Sequence, residues 1–418
     1  MGRMPRNQSE PREIDTQRVL LVGCNFASLL CMARSLGVAG YRCDIFRVYG
    51  GKLKLRHRLK ALRPDEASKY VDNFCTCVLD GDESKLAEGL LAYGKKLDKK
   101  RLIIITDDLS TNVIDRYYDK LSPYFLVSNI EGEAGAVAHA MTRAVQKRLA
   151  AETGLPTLES WVVNAGARAD DLPAEITYPC IAKSNDSTYV DKTLLVPCAD
   201  AVELAGTLAA YARRGVREVL VERFVPVKRE CSLVGAASRA GAVCPGGLEA
   251  TLGGKGRQQG IAVAGNVIDY ARCKRYADAI VAMVESLRYE GTFDADFIED
   301  DQGNLYFTEL NLRLGASGYA IVKSGVNVPA MYADYMLHGT PIDTTAQVKA
   351  PAPAFVNEKI LCTEFTHGGI DKAQVDAALA QDAVFFIRDD DDPDPYDRFK
   401  SVFSYAGLLR KLPLSVSV

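Results

Sequence analysis

Between Gly291 and Gly318 lies GTFDADFIEDDQGNLYFTELNLRLGASG, two alternating runs split by a polar break. Phe293–Glu299 and Leu305–Leu312 alternate apolar with polar or acidic residues, and Asp300 to Asn304 supplies the Gly and Asn of a turn. Successive strand side chains leave on opposite faces, so two adjacent period-two runs predict a β-hairpin. Phe293, Ala295 and Phe297 then share one face, with Asp294, Asp296 and Ile298 on the other. In the second strand Thr308, Leu310 and Leu312 oppose Glu309, Asn311 and Arg313. One hairpin face collects Asp296, Glu309, Asn311 and Arg313.

Two carboxylates and an amide oxygen on rigid strands make a hard-oxygen site, suited to Mg²⁺ held by one or two carboxylates and completed by substrate phosphates. The adjacent Arg313 suits a phosphoryl oxygen, through forked, permanently charged contacts. The plainer alternative is an edge hairpin with a solvated acidic face. Against it stands Glu-Leu-Asn-Leu-Arg, which spaces three polar chemistries two residues apart.

A chain of 418 residues exceeds one core and should divide into two to four domains. Hydrophobic residues at 48%, charged residues at 25% and a net charge of −3 describe a globular protein without a basic field for nucleic acid. No apolar run reaches the length of a membrane span, and residues 1–16 lack a signal peptide's apolar centre and read as a disordered tail. Eleven cysteines are an odd number set mostly in apolar patterns, which predicts free buried thiols in a reducing cytoplasm. Cys75-Thr-Cys77 lacks the second pair of a zinc knuckle, and four scattered histidines argue against a His-based metal site.

Apolar strands at Arg18–Gly23, Tyr41–Val48, Leu102–Thr106 and Phe125–Asn129 alternate with helical patterns at Phe26–Leu36 and Glu83–Gly94. That order predicts a doubly wound parallel sheet. The first turn has a single glycine, Gly23, so no NAD is assigned. Asn25 and Asp107-Asp108, at strand ends, have turn roles as their ordinary reading and substrate contact as the alternative. The basic run Lys52–Arg63 reads as a solvated helix face, with an anion dock as the alternative.

One helix is predicted over Ala134–Gly154, stopped by Gly154-Leu155-Pro156, with Lys147 and Arg148 facing solvent. Tyr178–Lys183 and Arg217–Val225 read as strands, Tyr276–Leu287 and residues 319–338 as helices, and Phe355–Cys362 and Val384–Ile387 as weaker strands. Gly246–Gly260, with six glycines and the cations Lys255 and Arg257, reads as a mobile loop or a lid. It holds no P-loop pattern. Asp389–Asp397 reads as a solvated acidic turn, and His367 is too isolated for catalysis.

Asp296 followed by Glu309-x-Asn311-x-Arg313 resembles the metal hairpin of the ATP-grasp superfamily. The helix with Arg143, the strand ending at Lys183 and the strand before Pro226 stand in the family's order, so the likeness spans Arg143 to Arg313. The resemblance implies Mg²⁺, or Mn²⁺, on Asp296, Glu309 and Asn311, with Arg313 on the transferred phosphate. It places Arg143 and Lys183 on ATP phosphates, Glu222 and Val225 at the adenine hinge, and Glu230 on the ribose hydroxyls. Ser184-Asn-Asp-Ser187 departs from the usual glycine-rich flap, although such residues still turn and donate to phosphate.

The implied fold class is α/β and α+β: an N-terminal Rossmann-like sheet domain (17–130), ATP-grasp subdomains A (131–215) and B (216–345), and a C-terminal region (346–418) packed on them. The implied protein is a cytoplasmic carboxylate–amine ligase of the carbamoyl-phosphate-synthase large-chain type, acting on small-molecule acids and amines, with homo-oligomerisation left open. It forms an amide through an acylphosphate. Met32–Leu36, Leu102–Thr106, Ser122–Asn129 and the Arg143 helix are similar to D-aspartate ligases, which implies a β-carboxylate donor in cell-wall peptide synthesis. An amino-acid or dipeptide ligase of secondary metabolism and a nucleotide-binding protein without turnover are the alternatives.

Overall fold

In a computed structural model of the chain, which describes residues 12–51, 63–186, 194–195, 197–254 and 260–400, the first sheet has five strands. These are β1 (Ile14–Gly23), β2 (Arg42–Tyr49), β3 (Val71–Val78), β4 (Lys100–Ile105) and β5 (Phe125–Leu126). They run parallel in the order β3-β2-β1-β4-β5. Helices α1 (Phe26–Gly37), α2 (Ser84–Gly94), α3 (Asp108–Arg116) and α4 (Tyr118–Leu121) connect them. Val19 and Leu21 pack with Leu29 and Met32 on one face, and Leu20 and Val22 with Leu86 and Leu90 on the other. Cover on both faces explains why β1 and β4 read as unbroken apolar runs.

The sheet begins earlier than residue 17. Ile14 pairs with Lys100, and the Lys100 amide donates to the Glu13 carbonyl, so 14–16 are strand rather than tail. Strand β3 carries no signal the sequence reading used, because VDNFCTCV sits at the sheet edge and buries only part of its length. The run 52–62 lies outside the described residues; Arg63 stands 3.6 Å from Glu66.

After β6 (Asn129–Ile130) the expected single helix is two, α5 (Ala136–Ala140) and α6 (Arg143–Glu152). Thr142 between them is extended, and the Arg143 and Ala144 amides donate to the Asn185 carbonyl and side chain. The chain breaks so that α6 starts against the end of a strand in the next sheet.

That small antiparallel sheet contains β7 (Ser160–Asn164), β8 (Cys180–Ser184), β9 (Pro197–Cys198) and β10 (Glu218–Arg223), ordered β7-β10-β8-β9 and covered by α7 (Ala201–Arg213). Strand β10 lies between β7 and β8. Glu218–Arg223, expected in the second subdomain, therefore pair within this small sheet.

The large sheet joins β11 (Arg229–Ser238), β12 (Gly241–Gly253), β13 (Ala262–Ile268), β14 (Tyr289–Glu299), β15 (Leu305–Asn311), β16 (Ala354–Val356) and β17 (Ala383–Phe385). Its order is β15-β14-β11-β12-β13-β16-β17, with β6 on the start of β14. Helix α8 (Tyr270–Ser286) buries Ile280, Met283 and Val284 against it, as its spacing predicts, with Leu287 partly buried. Much of the expected glycine-rich loop is strand: a Cβ on Gly247 would meet the Ser232 carbonyl at 2.2 Å, so glycine permits the close strand approach. Residues 255–259, with Lys255 and Arg257, lie outside the described residues.

The C-terminal third departs furthest from the expectation. Residues 319–338 form two helices, α9 (Gly318–Lys323) and α10 (Val328–His338), parted at Gly325 (φ 97°), with Asn327 capping the second. The strand expected at 355–362 stops at Val356. Asn357 then accepts from the Ile360 amide and starts α11 (Glu358–His367), followed by α12 (Lys372–Leu379). Asp392, expected in a solvated turn, is buried against Arg34 (2.9 Å), the Ser68 hydroxyl (2.8 Å) and the Lys69 amide (2.9 Å). It ties the C-terminal region to the first sheet domain. Among the described residues no helix is long and apolar enough to cross a membrane, and none of the eleven cysteines forms a disulfide.

Candidate active site

The hairpin forms between β14 and β15, and the Asp300 side chain accepts from the Gln302 and Asn304 amides across its turn. Register pairs Asp296 with Glu309 and Asp294 with Asn311, then slips so that Phe297 faces Phe307. The extra residue, Thr308, donates to the Asp296 carbonyl at 2.9 Å. A bulge at this point re-aims side chains, and it sits beside the acidic pair. Asn311 donates to Asp296 at 2.9 Å. Arg313, two residues past β15, grips Asp108 with Nε (2.8 Å) and Nη2 (3.2 Å) and lies 4.0 Å from Asp294.

Helix α6 locks this hairpin. Gln146 donates to the Leu310 carbonyl (2.6 Å) and accepts from the Leu310 amide (2.9 Å). One turn earlier, Arg143 meets Glu309 at 2.8 Å and donates to the carbonyls of Ser184 (2.8 Å) and Asp186 (3.2 Å). One guanidinium thus spans the end of β8 and the β14–β15 hairpin.

On the other side, Glu222 is 1% exposed and receives Lys147 at 2.5 Å and Lys183 at 2.6 Å. Burial pushes its carboxyl up, but the two ammonium groups outweigh that and hold it at about 2. Lys147 was expected in solvent; it is 8% exposed and also donates to the Phe307 carbonyl at 3.2 Å. Burial lowers its pKa, against the pull of Glu222. Its neighbour Arg148 does face solvent, at 67% exposure.

The hairpin behaves in the opposite way. Burial first, then Asp294 and Glu309, drive Asp296 well above the ordinary aspartate range. Burial works against the Arg313 charge, but Asp108, Asp294 and Asp296 hold it protonated. No three His, Cys, Asp or Glu side chains form a metal cluster among the described residues. Asp296, Glu309 and Asn311 are instead a short oxygen set with excess negative charge, which fits a divalent ion that brings phosphate oxygens with it.

These groups line a cleft of about 420 Å³ between the small sheet and the hairpin, bounded by Arg143, Lys183, Glu230, Asp296, Glu309 and Arg313 among others. Of the residues predicted, six therefore share one wall system, and Asn311 reaches it through Asp296. Glu222 and Val225 are buried and do not line the cleft; the Glu222 carboxylate is engaged by the two lysines rather than turned toward a base. Ser184 enters through its carbonyl, and Ser187 lies outside the described residues. Asp107 has the turn role predicted, capping α3.

The sequence reading missed Asp108 as the partner of Arg313, Lys147 as the partner of Glu222, and Asp294. Only Asp294 had left a usable signal, its place two residues from Asp296 on the same strand face.

Residues 148–326 match the model of the ATP-grasp domain. A formate-dependent phosphoribosylglycinamide formyltransferase of Bacteroides thetaiotaomicron is 24% identical, over 62% of this chain and 72% of that one. Among solved structures, the L-amino acid ligase of Bacillus licheniformis superposes with a TM-score of 0.59 at 12% identity, covering 81% of this chain and 78% of that chain. The ADP complex of an N5-carboxyaminoimidazole ribonucleotide synthetase gives 0.58 at 15% identity, covering 96% and 100%.

Proposed function

The chain carries an ATP-grasp domain over residues 148–326, and on that premise we propose that it is an ATP-dependent carboxylate–amine ligase, forming an amide with release of ADP and phosphate. The observation that carries this reading is the meeting of Asp296, Glu309 and Arg313 with Arg143 and Lys183 on one cleft. Phosphoryl transfer depends on positioning and charge neutralisation rather than on covalent help from the protein. Arg143 and Lys183 approach ATP phosphates from the small-sheet side, and Glu230 takes the ribose. Mg²⁺ on Asp296, Glu309 and Asn311 would supply neutralising charge at the phosphates. Arg313, held in a fork by Asp108, orients the transferred phosphoryl group toward the acid. The acid's carboxylate attacks the γ-phosphorus, and an amine then displaces phosphate from the acylphosphate.

The substrate class is set no finer than a carboxylic acid and an amine. The likeness to D-aspartate ligases rests partly on Met32–Leu36, all buried in α1, which reports packing rather than substrate contact. The amino-acid ligase among the structural neighbours supports an amino acid as one partner. A nucleotide binder without turnover has less need of every charge in the set Asp296, Glu309, Asn311 and Arg313. Eleven cysteines without a disulfide suit a reducing compartment, in keeping with a cytoplasmic enzyme.

The test is ADP release measured across a panel of amino acids, with hydroxylamine as trap. Hydroxamate formed with one acid identifies the acyl donor. ADP binding without turnover across the panel supports the non-catalytic reading instead.

A further inference from the structure

Beyond the nucleotide cleft lies a second chamber of about 250 Å³, on the far side of Asp296 and Arg313. The two spaces share Glu230, Cys231, Gly260, Ile261, Asp296 and Arg313 in their linings, so they adjoin along these residues. Asn25 and Ser28 of the first sheet domain close one wall of the chamber, and Leu248, Phe355 and Phe386 give it an apolar side.

Asp294 lines this chamber and does not line the nucleotide cleft. It is 7% exposed. Its Oδ2 accepts from the Ser317 hydroxyl at 3.0 Å and stands 4.0 Å from Arg313. Its Oδ1 is buried with no hydrogen-bond partner among the described residues. A buried carboxylate oxygen left without a donor is costly and calls for an explanation, and a small movement of Asp294 toward a ligand donor in the chamber it lines supplies one.

We propose that Asp294 is the recognition residue for the acceptor amine, taking an N–H of a small ammonium-bearing substrate in this chamber while its carbon skeleton lies against Leu248, Phe355 and Phe386. The inference rests on the ligase reading and adds the place and the specificity of its second substrate. Position separates this role from metal binding: Asp296 borders both spaces, whereas Asp294 borders only the one away from the nucleotide. Shape fits as well, since a chamber of this size holds an amino-acid-sized molecule.

The experiment compares Asp294→Asn with the wild-type full chain, using Mg²⁺, ATP and the twenty proteinogenic L-amino acids as acids and amines. Hydroxylamine at high concentration runs in parallel. Hydroxylamine is uncharged near neutral pH and traps acylphosphate without an ammonium site. Loss of one charged hydrogen bond should lower kcat/KM for the amine by about tenfold to a hundredfold. Amide formation should fall at least about tenfold further than hydroxamate formation, and Asp294→Glu should restore part of the loss. A parallel fall in hydroxamate and amide would assign Asp294 to the phosphoryl-transfer step and overturn the proposal. Unchanged amide formation would overturn it too. No hydroxamate from the wild type with any acid would defeat the ligase reading itself, a result distinct from either.

Discussion

Glu222, buried behind the cleft, and Asp296, half-buried on its wall, have surroundings that differ in kind. Glu222 is matched by Lys147 and Lys183, and its carboxyl is held at about 2. Asp296 has Asp294 and Glu309 for neighbours, and burial with their repulsion drives its carboxyl upward. The first cluster has its countercharge built in, so its removal should be felt in folding. The second has less countercharge, so on the proposed reading a cation meets its need, and its removal should be felt in turnover. On the proposed reading, a shortage of countercharge rather than acidity marks the hairpin as the place for a cation.

The largest expected effect is on the complete cluster. Glu222→Gln leaves two buried ammonium groups without their carboxylate and should cost about 3–5 kcal/mol of stability, read as a lower urea midpoint. Because the folded value of about 2 lies below the ordinary 4.5, Glu222's contribution is complete above that ordinary value and is lost as pH falls toward about 2. An unchanged midpoint would remove the distinction drawn above.

Glu309→Gln should reverse the balance. Mg²⁺-dependent ATP turnover should drop by about 10²–10³-fold, as for loss of one transition-state electrostatic contact. Its urea midpoint should stay close to wild type, and a large stability loss with turnover intact would make Glu309 structural. Asp108→Asn comes next. Arg313 would lose one carboxylate oxygen of its fork, and kcat should fall by about tenfold while the KM for ATP holds.

Asp296→Asn sharpens the contrast most. With part of the repulsion gone, the nucleotide-free protein should gain about 1 kcal/mol while losing Mg²⁺-dependent turnover. The sign follows from the raised pKa. Native Asp296 is penalised while ionised, so wild-type stability recovers relative to the variant as pH falls through its folded value. A less stable variant at neutral pH would contradict the assignment of repulsion. At the small end, Arg148→Ala, one residue from the buried Lys147, should change stability by less than about 0.5 kcal/mol.

How much of this was legible varies with distance along the chain. The hairpin was, because period-two alternation is a local property that the Asp296–Glu309 register preserves. The parallel order of β1, β2 and β4 was, because burial on both faces leaves unbroken apolar runs. Lys147 was not: two adjacent basic residues on α6 look alike in sequence, and only the packing of α6 on β15 turns one inward and the other outward. Asp108 and Asp392 find their partners 205 and 358 residues away, and no local pattern encodes such pairs. The α11 error was avoidable. Asn357 before the apolar run and Gly368 after it are a cap and a stop, and they outrank the apolar run they enclose.

The central claim is that the hairpin's oxygen donors, short of positive charge, take up a divalent ion together with a nucleotide. Mn²⁺ binding followed by the electron paramagnetic resonance signal of the free ion, with and without ADP, tests it without turnover. ADP should tighten Mn²⁺ binding by the wild-type chain, and both Asp296→Asn and Glu309→Gln should abolish that gain while remaining folded. Equal ADP-dependent Mn²⁺ uptake by all three proteins would place the ion elsewhere and contradict the account.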